Sequence, residues 1–402
     1  MSSILLIRNK VNLPTPPLGL LFLASYLEKY GYNVKICDLS IEDKRLLYEL
    51  LSSESLLAVG MTSNVSTYYR DIELSRYIKN QFSLPIIIGG PHPSVAPNEY
   101  MYEWIDYIVI GDGEESLIKI LNAIKNNKKL DRIQKNTVDI SNLPNPARHL
   151  VDYSKYYSGV NEREKKEFVF ISRGCPYNCI FCAGPKIFGS RPRYRNIRNV
   201  ISELREIREK YKFKNIRIAD DLFVADKKYV FQFCKELYKE GLDINLDFQS
   251  RIDTVDENII KIMKGAGFNG VFLGIESGNE ETLRKIGKPY SIKKIEETIK
   301  LLKKEGYFIT GSFTIGYPWE KKDDILNTFR FARNLELDRI RVYIITPLPG
   351  TDLYDKYKDK IVTKNYDLYD TRHAVMDGEY LTAHEIQELY ESYMKEFEIS
   401  DN

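Results

Sequence analysis

The chain has 402 residues, with 59 Lys and Arg against 57 Asp and Glu. That length allows two or three domains, each with its own core. The near-balance of intermixed charge provides no basic field for nucleic acid or an anionic membrane. Five cysteines, three of them within eight positions of one another, describe a metal site in a reducing, cytoplasmic compartment rather than a disulfide framework. The opening apolar run is broken by Arg8 and Lys10, and residues 18–26 fall short of the roughly 18 apolar residues a membrane span needs.

From Ser3 to about Lys125, short apolar runs alternate with amphipathic stretches. ILLIR, VKIC, LLAVG, PIIIGG and DYIVIG read as five buried strands. The helical patterns begin near Leu18, Asp43, Thr67 and Pro97, with a last one after Glu114. Such alternation predicts a Rossmann-like (flavodoxin-like) parallel sheet over residues 1–126 with helices on both faces. Glycines follow three of the strands, at Gly60, Gly89-Gly90 and Gly111. They either let backbone approach a ligand beyond the strand ends or form tight turns. Residues 127–166, with their charged and Tyr-rich stretches and a Pro-Asn-Pro turn, read as a linker.

At residue 167 the alternation resumes with a longer repeat. EFVFIS, NIRIAD, INLDFQS, GVFLGIES, FITGSFTIG and DRIRVYIIT are the strands, with helical patterns such as 196–211, 226–240, 291–305 and 321–335 between them. Six strand-helix units fit a partial (β/α)6 barrel of TIM type over 167–350, whose chemistry sits at the carboxyl ends of its strands. Residues 351–402 are left for a small helical cap.

Cys175, Cys179 and Cys182 directly follow the first of these strands. Spacings of four and three positions let one loop wrap three corners of an iron-sulfur cubane, and three thiolates leave one iron open to an exchangeable ligand. Structural zinc wants four protein ligands, and no His lies within twenty residues of Cys182. Cys37 and Cys234 are isolated and read as buried thiols.

The phrase SRGCPYNCIFC, with Phe181 before the last cysteine, resembles the radical S-adenosylmethionine (SAM) superfamily, in particular its branch with an N-terminal cobalamin-binding domain. The likeness extends from Pro16-Pro17-Leu18-Gly19 through GGPHPS and GDGEES to TPLPGT at 346–351. It implies that the three cysteines hold a 4Fe-4S cluster. SAM would chelate the open iron, and one-electron reduction would cleave it to methionine and a 5′-deoxyadenosyl radical. On this resemblance the SAM contacts fall on Phe181, Asp220, Asp221, Arg251, Glu276, Ser277, Ile315, Gly316 and Pro347. Asp220 and Asp221 serve equally well as a capping or salt-bridged pair. Arg251 is placed to reach the SAM carboxylate, and Glu276 the ribose hydroxyls.

For the first domain the resemblance implies cobalamin beyond the strand ends, touching Thr62, Ser63, Gly89, Gly90, His92, Gly111 and Glu114. The Asp-x-His-x-x-Gly motif that supplies an axial histidine is absent, so His92 is expected as a loop contact rather than a metal ligand. Trp319 stands where related sequences carry a smaller residue. The implied activity is methylation of an unactivated carbon, or phosphorus, of a small metabolite or lipid precursor, with flavodoxin or ferredoxin as electron donor. The alternative is a radical cyclisation, dehydration, epimerisation or rearrangement, with or without cobalamin. A noncatalytic sensor gives the cysteine loop little purpose.

Overall fold

The computed structural model describes residues 3–11, 15–53, 55–157 and 165–398. The chain divides into two compact units, one of Met1–Lys165 with Lys186–Phe188 and Arg193–Glu203, the other of the remaining residues. Among the described residues no helix is long and apolar enough to cross a membrane.

In the first unit the apolar runs form β1 (Ser3–Arg8), β2 (Asn33–Asp38), β3 (Leu56–Thr62), β4 (Ile86–Gly89) and β5 (Tyr107–Gly111). A further strand, β6 (Ile133–Asn136), completes a parallel sheet of order β2-β1-β3-β4-β5-β6. Helices α1 (Leu18–Lys29), α2 (Lys44–Leu51), α3 (Tyr68–Phe82) and α4 (Glu114–Lys125) connect the strands. Asp43 caps α2 by accepting the Leu46 amide at 3.0 Å, and Ser83 ends α3 in the left-handed conformation. Ile4 and Leu6 of β1 pack with Leu20, Leu27, Leu117 and Leu121 into one core. Each such side chain contributes about 1.5–3 kcal/mol on burial.

Two expectations are corrected in this unit. The helix expected near Pro97 is only a pair of short turns, Pro91–Val95 and Pro97–Tyr100. Prolines at 91, 93 and 97 lack the amides a longer helix would need. The stretch taken for a linker supplies β6, whose sequence IQKN buries only Gln134 and so carries little apolar signal.

The second unit contains β7 (Glu167–Val169), β8 (Asn215–Ile218), β9 (Asn245–Arg251), β10 (Phe268–Glu276), β11 (Phe308–Ile315) and β12 (Arg339–Ile344), parallel and in sequential order. In the chain, α5 (Ile197–Glu209) precedes β8. It is followed by α6 (Lys227–Glu240), α7 (Glu257–Gly265), α8 (Ile292–Lys304), α9 (Lys322–Asn334) and the C-terminal α10 (Ala383–Glu398). The sheet is open, with β7 and β12 as its edges, as a partial barrel requires. Register puts Phe248, Leu273, Phe313 and Val342 on one side of it, and all four are buried. The first strand is shorter than its apolar run because the amides of Ile171 and Ser172 turn away to the Asp220 carboxylate.

Candidate active site

The cysteine loop is held by carboxylates rather than by helix packing. Asp220, fully buried after β8, accepts the Ile171 amide at 2.7 Å, the Ser172 amide at 2.8 Å and the Ser172 hydroxyl at 2.6 Å. Burial pushes its pKa up to about 7, against the pull of these three donors. Its neighbour Asp221 accepts the Gly174 amide at 3.0 Å. Gly174 has φ +97°, and a Cβ there would lie 2.8 Å from the Gly189 carbonyl, so glycine is required where the loop turns toward Cys175. Both aspartates, considered above as SAM contacts, therefore act as anchors of the cysteine loop.

Arg251, expected at the SAM carboxylate, ends β9 beside the cysteine loop. Its Nη1 donates to Cys179 Sγ at 3.0 Å. Nε and Nη2 grip Asp253 at 2.9 and 2.8 Å, and Nη2 also reaches the Gly287 carbonyl at 3.3 Å. The guanidinium lies 3.8 Å from the centre of the Tyr177 ring. Burial raises the pKa of all three cysteines, that of Cys182 to about 11 even though the residue reaches solvent. Metal binding must therefore displace their protons.

Among the described residues no three His, Cys, Asp or Glu side chains are close enough to share a single metal ion. A cubane asks instead for thiolates at separate corners. Three thiols on one clamped loop, one of them already facing a guanidinium that suits an anionic sulfur, fit such a cluster.

Glu276 closes β10 with φ +70°, a conformation that costs a non-glycine residue about 1–3 kcal/mol and persists where surroundings enforce it. The enforcing partners are Lys288 Nζ, 2.7 Å from Oε1, and Thr314 Oγ1, 2.9 Å from Oε2. Lys288, itself buried, also donates to the Gly274 carbonyl at 2.9 Å. Each Glu276 oxygen retains a lone pair for a ligand hydroxyl, so the carboxylate still fits a ribose. The sequence reading missed Lys288, which sits in an ordinary Gly-Lys-Pro-Tyr turn. The signal that could have found it is a carboxylate ending a buried strand, which demands a cation nearby.

The remaining contacts divide. Phe181 is partly buried, with its ring 6.3 Å from Tyr317. Ile315 and Pro347 are buried at strand ends. Gly316, φ +82°, packs so closely that a Cβ would lie 2.8 Å from Ile386 of α10. Ser277 is fully buried, its hydroxyl 3.2 Å from that of Thr328, and belongs to the framework rather than to a ligand-facing surface. Trp319 stacks on Tyr317 at 5.4 Å and donates to Thr282.

In the first unit, strand order reverses between β1 and β3, which opens a crevice at their carboxyl ends. Thr62, Gly89, Gly90 and Gly111 remain partly accessible in these loops, and their small size fits a flat ligand. Ser63, His92 and Glu114 are buried. The hydroxyls of Ser63 and Tyr100 lie 2.7 Å apart, and Tyr100 reaches His92 Nδ1 at 3.2 Å. His92 Nε2 lies 3.2 Å from Glu99. His92 thus points into the domain, not outward as a loop contact. A Cβ on Gly90 would meet Thr62 Oγ1 and the Ser63 carbonyl at 2.7 Å, so this glycine lets two ligand-facing loops approach each other.

A doubly wound parallel sheet and an open six-stranded parallel sheet carrying a three-cysteine loop fit the radical enzyme class that the cysteine motif resembles. Residues 169–332 match the Radical SAM superfamily and residues 4–121 the B12 binding domain. An uncharacterized methyltransferase of Pyrococcus horikoshii is 31% identical over 406 residues, spanning 95% of this chain and 88% of that protein. The chain belongs to the radical SAM superfamily, in its cobalamin-dependent methyltransferase branch.

A hopanoid C-3 methylase of Methylococcus capsulatus is 25% identical, covering 92% of this chain and 74% of the relative. An anaerobic magnesium-protoporphyrin IX monomethyl ester cyclase of Rubrivivax gelatinosus is 24% identical, covering 88% and 68%. In fold the chain is similar to the radical SAM methyltransferase TsrM from Kitasatospora setae, solved with cobalamin and a [4Fe-4S] cluster. That match has a TM-score of 0.78 at 20% identity, over 89% of this chain and 75% of that one.

Proposed function

We propose that the chain methylates an unactivated carbon, or phosphorus, of a small metabolite or lipid precursor. Cys175, Cys179 and Cys182 would hold the cluster, and Glu276, Phe181, Ile315 and Pro347 would border SAM. Thr62, Gly89, Gly90 and Gly111 would border the corrinoid. When bound, the cluster and SAM supply a carbon-centred radical and the corrinoid supplies the methyl group. The protein's part is placement: Asp220 and Asp221 fix the cysteine loop, Arg251 offsets the charge of Cys179, and Lys288 holds Glu276 toward the ligand side. An acidic electron carrier such as flavodoxin or ferredoxin is the donor this chemistry calls for, in the cytoplasm. The observation that carries the reading is the pairing, in one chain, of a clamped three-thiol loop with a parallel sheet that opens a crevice at its switch point.

Turnover of reconstituted, reduced protein with methyl-deuterated SAM and candidate acceptors tests it. The expected result is a product heavier by a trideuteromethyl group, with both 5′-deoxyadenosine and S-adenosylhomocysteine formed. The similarity to the cyclase supports a second reading, a radical reaction without methyl transfer. It predicts 5′-deoxyadenosine alone and an unlabelled product.

A further inference from the structure

Helix α6 buries Val230, Phe233, Cys234 and Leu237, so at helical periodicity its outward face should be polar. Instead Phe231 and Tyr238 stand on that face 50% and 72% exposed. Lys228 and Lys235, three positions before and four after Phe231, share the same stripe. Beside it, Lys228, Phe231, Gln232 and Lys235 of α6 and Ile259 of α7 line an open hollow of about 580 Å³.

The charges around this hollow do not cancel. Lys227, at its edge, is taken up by Asp256 at 3.0 Å, which braces α6 against the start of α7. Glu236, the one carboxylate among the lining residues, is engaged by Lys239 at 2.8 Å. Among the described residues, Lys228 and Lys235 form no ion pair and donate no side-chain hydrogen bond. Two unneutralised ammonium groups therefore flank an apolar floor made by Phe231 and Ile259. A small molecule would be poorly enclosed by so open a surface, whereas exposed aromatics beside unpaired cations suit a protein partner of opposite charge.

The first turn of α6 lies near the cysteine loop. In barrels of this type the helices start just beyond the carboxyl ends of the strands they follow. Lys227 comes six residues after Asp221, a reach of at most about 22 Å, and the helical turn Phe223–Ala225 shortens it. Asp221 itself borders the loop. It accepts the Gly174 amide at 3.0 Å, and a Cβ on Gly184 would lie 3.2 Å from its Oδ1 and 3.5 Å from Cys182 Sγ.

We infer that the face of α6 bearing Lys228, Phe231 and Lys235 docks the electron carrier, a small acidic redox protein. Its carboxylates meet Lys228 and Lys235, and one of its apolar side chains enters the hollow over Phe231 and Ile259. Redox encounters are small and transient, and complementary charge speeds and orients them. The inference rests on the reading that the cysteine loop holds a cluster reduced from outside.

Binding of oxidised bacterial flavodoxin to the full chain, measured by interferometry at low and at high salt, tests it. The wild-type affinity should fall with salt. At low salt Lys228→Glu and Lys235→Glu should each weaken binding about tenfold, and Phe231→Ser about threefold with the salt dependence unchanged. All three side chains are exposed, so the variants should fold. In stopped flow with the reconstituted protein, flavodoxin hydroquinone gives up one electron and becomes semiquinone. That transfer should slow in both charge reversals, while reduction by dithionite stays at the wild-type rate. The inference is overturned if the wild-type chain shows no salt-sensitive binding, or if both charge reversals keep the wild-type affinity. It is overturned as well if they bind weakly yet accept electrons from flavodoxin at the wild-type rate, the carrier then docking elsewhere. Neither readout needs SAM or a methyl acceptor, and the binding needs no cluster. Absence of methyl transfer would therefore sink the proposed function and leave the docking surface standing.

Discussion

Arg251 joins the cysteine loop, the turn at Asp253 and the Gly287 carbonyl through one planar group. Removing it takes away the hydrogen bond to the Cys179 sulfur and leaves Lys288 as the cation that still favours its thiolate. A charge-assisted hydrogen bond of this kind is worth about 1.5–3 kcal/mol. Arg251→Ala should therefore retain well under half of the wild-type iron and sulfide after anaerobic reconstitution and desalting. Arg251→Lys should fall between the two, because it keeps the charge but loses the fork. Equal iron in all three proteins would show that the contact with Cys179 is incidental. At this scale the sequence revealed residue types better than their partners. The cysteines and Glu276 were recognisable from spacing and strand position. Asp220 and Asp221 were not recognisable as loop anchors, because their donors lie nearly fifty residues earlier and only the curled strand end brings them close.

Among elements, the loop after β11 carries a pH signature of its own. Glu320, buried, accepts the Gly316 amide at 2.9 Å and the Tyr317 amide at 3.0 Å, closing the loop under the stacked Tyr317 and Trp319 rings. Burial pushes its pKa up to about 8, the two amides pulling the other way. An acid whose folded pKa is raised binds its proton more tightly when folded. Its stabilisation is full below about pH 4.5 and is lost as pH rises toward 8. Glu320→Gln keeps an acceptor but does not titrate, so urea unfolding should show it gaining on wild type between pH 5 and pH 8. Glu320→Ala strands two amides and should lose about 1–3 kcal/mol for each one left unsatisfied. A Gln variant whose difference from wild type stays flat across that range would mean that Glu320 is ionised in the fold. The strands on either side were plain from their apolar runs. β6 was not, because an edge strand of mixed polar residues has no two-sided burial to announce it.

At the scale of the whole molecule, each unit has its own parallel sheet and its own buried apolar side, so the two proposed cofactor sites draw on separate cores. Replacing Cys175, Cys179 and Cys182 together by Ala removes the thiolates of the second unit and substitutes no residue of the first. The triple variant should lose essentially all cluster iron yet retain hydroxocobalamin after desalting at the wild-type ratio, read from its visible spectrum. Gly90→Ala should do the reverse. A Cβ at 2.7 Å from Thr62 Oγ1 and the Ser63 carbonyl forces the β3 and β4 loops apart, so corrinoid retention should fall while iron stays near wild type. Loss of both cofactors in either variant would mean that one site is completed by the other. Independent loss would mean that the fold built each site on its own core and that the chemistry joins them only when both are filled.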